Sequence, residues 1–316
     1  MIRLLSPDDP DDNRIWQQAF RQNNPTYPFF QSGWYKAFFE TIGKTYPPLI
    51  LFDTDNAVIA PFYLDQHRAI LSGGINVTDY ADIIGPENSK KPAWINFIEF
   101  LGNTPDYQIE LHNIPEFSAT FDFFRNDRHY PGAIIQTEET TPVVRLPKDH
   151  ESYMWQLDRK TRHEFRRKFR NFTAAFPEIT TIDMLPAVGM EIFTGLMSLN
   201  PEKKTFLNPD NTEFFRDIAR SYTDNSFIRI ISIKGNPAAA IWYFISGKTV
   251  LLYNSGFNEK KYSGSGNFIV AGHILWAIEH GFTEYNFLRG NERYKYDLGG
   301  KDEFVYSIRL NIRPSK

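Results

Sequence analysis

The sequence predicts an α+β fold of two tandem domains, each a mixed, mostly antiparallel sheet flanked by helices. Three observations predict it. The chain has 316 residues, about twice an ordinary domain of roughly 150. Hydrophobic residues make up 41% and charged residues 23%, a composition that folds rather than stays disordered. Helical and strand patterns also recur in the same order in each half, without matching residues.

The elements follow in order. Residues 12–22 carry Ile15, Trp16, Ala19 and Phe20 as a helical stripe behind an Asp-rich cap. Ser32 opens a second helix that stops at Gly43. PPLILF, AVIAPFYL and RAIL read as strands. A polar, Gly-rich segment from Ser72 to Lys91 leads to a helix started by Pro92 and ended by Gly102. YQIELHNI is a strand, Ser118 starts a short helix, and GAIIQTEETTPVVRL is one long strand. In the second half Asp149 opens a helix, and residues 159–173 form a strongly basic one. EITTIDML is a strand, followed by helices over 187–198 and 210–221. FIRIISI, AAAIWYFI and TVLLYNSGF are antiparallel strands. The loop NEKKYSGSG leads into a helix over 267–280. TEYNFLRG is a strand, NERYKYDLGG a turn or short helix, and FVYSIRLNI the last strand. The predicted domains are 1–147 and 148–316.

Composition excludes several classes. Net charge is −3 and cysteine is absent, which removes a thiol nucleophile, a disulfide scaffold and a Cys-ligated metal. The longest apolar run, Ala238 to Ile245, has 8 residues, against about 20 for a membrane span. The start, MIRLLSPDDPDD, lacks an apolar signal core, so a soluble, cytoplasmic protein is expected. No metal is expected either, because His273 and His280 lie too far apart on their helix to share one. The aromatic share is high, with 28 Phe, 16 Tyr and 6 Trp.

Chemistry concentrates in short segments. Lys261-Tyr-Ser-Gly264-Ser265-Gly266-Asn267 lies between a strand and a helix. A Gly-x-Gly pair there lets backbone approach a ligand, and the helix start offers unpaired N–H groups to a pyrophosphate. The basic-x-x-Gly-x-Gly spacing resembles the acyl-CoA loop of the GNAT N-acetyltransferases. The resemblance implies tandem GNAT-like domains, with Lys261, Gly264, Ser265, Gly266 and Asn267 holding acetyl-CoA or another acyl-CoA. Asn286-Phe-Leu-Arg289-Gly-Asn-Glu292-Arg-Tyr294-Lys295-Tyr296 follows a strand end, where functional residues often sit. It is similar to the cellulose-biosynthesis (CelD/BcsL) acetyltransferases, a branch related to the FemABX aminoacyltransferases. That branch has Asp in place of Asn286 and Ser-Pro-Gly in place of Gly264-Ser265-Gly266.

The basic helix, Arg159 to Arg170, holds seven Lys or Arg residues and one acid. Arg159, Arg162, Arg166 and Arg170 share one face, and Phe165, Phe169 and Phe172 another. The family's Lys/Arg-x-x-Arg pattern is matched by Arg159 and Arg162, which implies contact with CoA phosphates or an anionic acceptor; the plain alternative is a solvated face. The helix also suits an anionic lipid surface. Asp79-Tyr80-Ala-Asp82 resembles an Asp-Tyr loop of the same family. It lacks Gly-x-Gly before its helix, so the first domain reads as degenerate, its loop capping the substrate cleft.

The resemblance implies transfer of an acyl group to an amine on an amino-sugar or another cell-envelope or polysaccharide precursor, free or lipid-linked. Tyr253 and Asn254 lie on the strand expected to splay near Leu252 to Ser255. Glu292 is the candidate base and Tyr294 the candidate acid, while Arg289 and Lys295 bind an anionic part of the acceptor. Tyr80, Tyr253, Tyr262, Tyr294 and Tyr296 suggest a tyrosine-lined cleft. Two other readings stay open. One is an aminoacyltransferase using aminoacyl-tRNA, the single case in which nucleic acid is a partner. The other is a degenerate, non-catalytic protein that binds polysaccharide or a partner.

Overall fold

The structure, a computed structural model, describes residues 1–71, 73–103, 107–126 and 132–312. Ser72, the first residue of the predicted polar segment, therefore lies outside the described residues. The chain divides into two compact units. One comprises Met1–Thr140 together with the segment from Glu303, and the other comprises Thr141–Asp302.

In the first unit the elements are β1 (Ile2–Leu5), α1 (Pro10–Gln22), α2 (Ser32–Glu40), β2 (Pro48–Asp53), β3 (Val58–Asp65), β4 (Arg68–Leu71), α3 (Glu87–Gly102), β5 (Gln108–Pro115), α4 (Ala119–Asn126) and β6 (Ile134–Thr140). The second contains β7 (Val143–Arg145), α5 (His150–Gln156), α6 (Arg159–Ala175), β8 (Ile179–Met184), α7 (Pro186–Met197), α8 (Pro201–Phe206), α9 (Pro209–Ser221), β9 (Ser226–Ile233), β10 (Asn236–Ser246), β11 (Thr249–Phe257), α10 (Ser265–Glu279), β12 (Glu284–Asn286) and α11 (Arg293–Asp297). Then β13 (Phe304–Asn311) returns to the first unit.

The first sheet runs β1-β2-β3-β4-β5-β13-β6 and the second β7-β12-β11-β10-β9-β8. Each is antiparallel except at one junction, β4 with β5 and β11 with β12. The first core gathers Phe62, Trp94, Phe97, Phe121 and Ile308. The second gathers Tyr243, Leu252, Ile269, Ile274 and Tyr285. Burying each such side chain contributes roughly 1.5–3 kcal/mol.

The predicted domain limits differ from this division. The long predicted strand breaks at Pro142 into β6 and β7, and β7 joins the second sheet through Val144 and Tyr285. The predicted last strand of the second domain, β13, lies between β5 and β6 of the first. Strand pairing is non-local, so no pattern within either strand carries that assignment. The third helix starts at Glu87, with Pro92 inside it. Proline costs a helix about 3 kcal/mol, and burial of Ala93, Trp94 and Phe97 offsets that. Helix α8 has no counterpart among the predicted elements. It is capped by Asn200, which accepts from the N–H groups of Glu202 and Lys203, and none of its residues is fully buried, so it has no apolar period.

Candidate functional site

The site grows from the parallel junction of the second sheet. There β11 and β12 pair only from Thr249 opposite Glu284 to Leu251 opposite Asn286. Past that pair the strands part, for local reasons. Asn286 Oδ1 accepts from the Leu288 N–H at 2.8 Å, and Leu288 has a left-handed φ of 57°. On the other strand the β10–β11 register slips by one residue at Tyr243, leaving Tyr253 as the bulged residue. The predicted opening near Leu252 to Ser255 is therefore where the ladder ends.

The start of α10 borders this opening. Gly264 has φ 87°, a conformation that favours glycine. At Gly266 a Cβ would lie 2.9 Å from the Phe257 ring, so only glycine lets the helix start approach β11 so closely. Glu259 Oε1 accepts from the Gly264 N–H at 2.6 Å and from Ser263 Oγ at 3.2 Å. A carboxylate thus already sits on this loop. Among the described residues, no protein acceptor takes the N–H of Gly266 or Asn267. These are the orphan donors of a helix first turn.

A groove of about 950 Å³ opens in front of them, between α6, the loop ending at Gly264, the first turns of α10, and α11. Its floor is aromatic, with Phe268 4.5 Å from Phe169 and 4.4 Å from Phe172 between ring centroids. Its rim carries Lys160, Arg167, Lys168 and Arg293. Arg167 pairs with Glu164 at 2.8 Å, and Asp297 lies 4.0 Å from Lys168 and 3.8 Å from Arg293.

At the strand opening the structure adds a residue that sequence reasoning missed. Lys203, on α8, donates to Asn254 Oδ1 at 2.9 Å, Ser255 O at 2.7 Å and Ser255 Oγ at 3.3 Å. Burial lowers its pKa to about 8; the Glu292 charge opposes the shift and Lys295 adds to it. The residue that follows Asn200 by three carries no motif, and only the fold brings it to Asn254. Tyr294 is partly buried, and burial followed by the Glu292 charge pushes its phenol well above the ordinary value.

The structure gathers some predicted residues and disperses others. Gly264 and Asn267 line the groove, and Gly266 sets the approach of α10. Asn254 accepts from Lys203 at the opening, and the Glu292 charge acts on the same lysine. Lys295 differs from expectation. Its side chain is 2% exposed, and Nζ donates to the carbonyls of Leu288, Arg289 and Gly290 and pairs with Glu292 at 2.9 Å. It clamps the turn after β12, so its donors are committed to the protein, and Arg289 lies on that clamped turn. Tyr253 turns its ring into an aromatic cluster with Phe215, Trp242 and Phe244. Lys261 is exposed beside the Tyr262 ring and does not line the groove. The Ser265 side chain is buried and reaches the Ala238 carbonyl at 3.4 Å.

Arg159, Arg162 and Arg166 do not line the groove, because α6 turns a different face to it. Asp79 and Tyr80 are buried in the first unit, Tyr80 stacked 5.3 Å from Tyr27 and edge-on to Phe117. None of the five predicted cleft tyrosines lines the groove, whose aromatic wall is phenylalanine. Among the described residues, no helix is long and apolar enough to cross a membrane.

Comparison with known proteins fits this geometry. Residues 159–296 match the family model described as an acetyltransferase (GNAT) domain. No curated protein matches the sequence. Among solved structures, FemX superposes with a TM-score of 0.64 at 8% identity, covering 98% of this chain and 96% of that one. L-PGS from Bacillus licheniformis gives 0.63 at 12% identity, covering 98% and 93%. A tandem GNAT protein from the clavulanic acid biosynthesis pathway gives 0.50 at 9% identity, covering 100% and 99%. The fold is two GNAT-like units in tandem, each a mixed, mostly antiparallel sheet flanked by helices.

Proposed function

We propose that the second unit is an acyl-CoA-dependent N-acyltransferase, acting on an amino-sugar or another cell-envelope or polysaccharide precursor in the manner of the cellulose-biosynthesis type. The observation that carries the reading is the α10 start. Asn267 in its first turn lines the groove, and among the described residues no protein acceptor takes the N–H of Gly266 or Asn267. The residues fit a donor of this chemistry. The N–H groups of Gly266 and Asn267 suit a pyrophosphate, and the rim cations Lys160, Arg167, Lys168 and Arg293 suit further phosphate. The rings of Phe169, Phe172 and Phe268 suit the apolar parts of the donor.

The thioester supplies an activated acyl carbon. The acceptor nitrogen forms a bond to that carbon, the C–S bond breaks, and the proton lost by the amine balances the thiolate that leaves. Glu292, beside the opening, is the group that takes the amine proton. Tyr294, held protonated by burial, is the group that gives one to the thiolate. Lys203 holds β11 just past its bulge, through the Asn254 side chain and the Ser255 carbonyl, so the thioester carbonyl meets a fixed strand.

Thermal denaturation with acetyl-CoA, CoA and inorganic phosphate tests the reading. Saturating CoA at about 100 times its Kd should stabilise the fold by about 2.7 kcal/mol. No shift at millimolar CoA would overturn it, and binding of aminoacyl-tRNA in its place would move the chain to aminoacyl transfer.

A further inference from the structure

We propose that the outer face of α6, together with Trp155 on α5, docks the protein on an anionic lipid surface. Arg159, Arg162, Arg166 and Arg170 take lipid phosphates, and Trp155 lies at headgroup level. This face is separate from the donor groove, and the inference does not rest on the acyltransfer reading. At about 100° per residue the four arginines fall within an arc of about 80°, and along the axis they span about 16 Å. The groove-facing cations Arg167 and Lys168 lie outside that arc.

Among the described residues, none of these four arginines forms an ion pair. The neighbouring acids are committed elsewhere. Asp158 caps the helix through the N–H groups of Lys160 and Thr161, and Glu164 holds Arg167. Like charges three and four residues apart destabilise a helix, and a phosphate surface relieves that repulsion. Each guanidinium keeps its charge at any working pH, and that charge is what an anionic surface attracts.

The tryptophan adds an interfacial anchor to the ridge. Trp155 is 68% exposed, and the Arg162 guanidinium lies 4.2 Å from the centre of its ring. That contact covers one face of the ring and ties the exposed tryptophan to the arginine ridge. An interfacial tryptophan needs no free face; it needs an amphipathic ring at the boundary. An exposed amphipathic ring beside a cationic ridge therefore suits a phosphate headgroup layer.

Sedimentation with vesicles tests the proposal, using phosphatidylcholine alone and phosphatidylcholine mixed in equal parts with phosphatidylglycerol. The intact chain should pellet only with the mixed vesicles, and less so as salt rises. Each arginine removed should weaken partitioning roughly fivefold, so Arg159→Gln, Arg162→Gln and Arg166→Gln combined should lower it roughly a hundredfold. The three corresponding Arg→Lys changes should retain most binding, which separates charge from misfolding. Trp155→Ala should weaken it several-fold. Equal pelleting by wild type and the Gln variant would overturn the proposal. So would an absence of pelleting, including the case where the ridge binds a single-stranded RNA oligomer instead. A CoA-induced thermal shift measured on the same Gln variant reports on the donor groove independently.

Discussion

The two units share a strand arrangement and finish it differently. In each, antiparallel strands lead to a parallel pair that parts after a short ladder. In the first unit the parting is filled by its own chain. Asn113, with φ 55°, donates to the carbonyls of Ile75 at 3.0 Å and Thr78 at 2.8 Å, and its backbone carbonyl accepts from the Ala81 N–H. The helix that follows starts over buried charge: Lys90, 1% exposed, donates to Asp82 at 2.8 Å and pairs with Glu87. Thr120 also binds Asp82. In the second unit the equivalent helix starts on Gly264 and Gly266 and faces a groove. The difference teaches that the frame alone gives no site. A few side chains decide whether the helix start is satisfied from within or left for a ligand.

Four changes would break or sharpen this comparison, in descending size. Lys90→Met should destabilise the protein by about 3–5 kcal/mol, because Asp82 would be left buried without its partner. Urea unfolding measures this, and a loss under about 1 kcal/mol would mean the first unit is not held by that ion pair. Gly266→Val should cost about 1–3 kcal/mol by overpacking against Phe257. It should also remove the CoA-induced thermal shift, and an unchanged shift would detach the donor from the α10 start.

Lys203→Met should lower transfer on the order of tenfold to a hundredfold, read as kcat with CoA affinity little changed. The wild-type rate should also change near pH 8, where Lys203 loses its proton, and that step should vanish in the variant. The smallest effect concerns the first unit. Burial lowers the His112 pKa, but hydrogen bonds and charge from Glu138 and Glu110 outweigh it and raise the value overall. Its stabilising contribution is full below about pH 6.5 and is lost as pH rises through the raised folded value. Glu138→Gln should flatten that part of a stability-against-pH curve; an unchanged curve would remove His112 from the balance.

Much of the local structure is legible in the sequence. The Asp9 and Asp149 caps, the Gly264 turn and most strands of both sheets follow from period and capping chemistry. The short edge strand β1 is not legible, because four residues with only Leu5 buried carry no alternation. The site is legible in part. Gly264, Gly266 and Asn267 stand in a contiguous motif, and the motif survives folding as one loop. Lys203 is hidden because its partners, Asn254 and Ser255, are 51 and 52 residues away along the chain. Lys295 misleads because a lysine in a polar turn gives no sign of being buried beneath three carbonyls.

The sequence by itself determined most of the elements, the two cores and the glycine-rich helix start, since these depend on neighbours within a few turns. Tertiary structure alone decided three things. It placed β13 in the first sheet, turned the arginine face of α6 away from the groove, and set Lys203 over the opened strand. Each depends on which distant surface packs against which face, and that is a property of the assembled sheets.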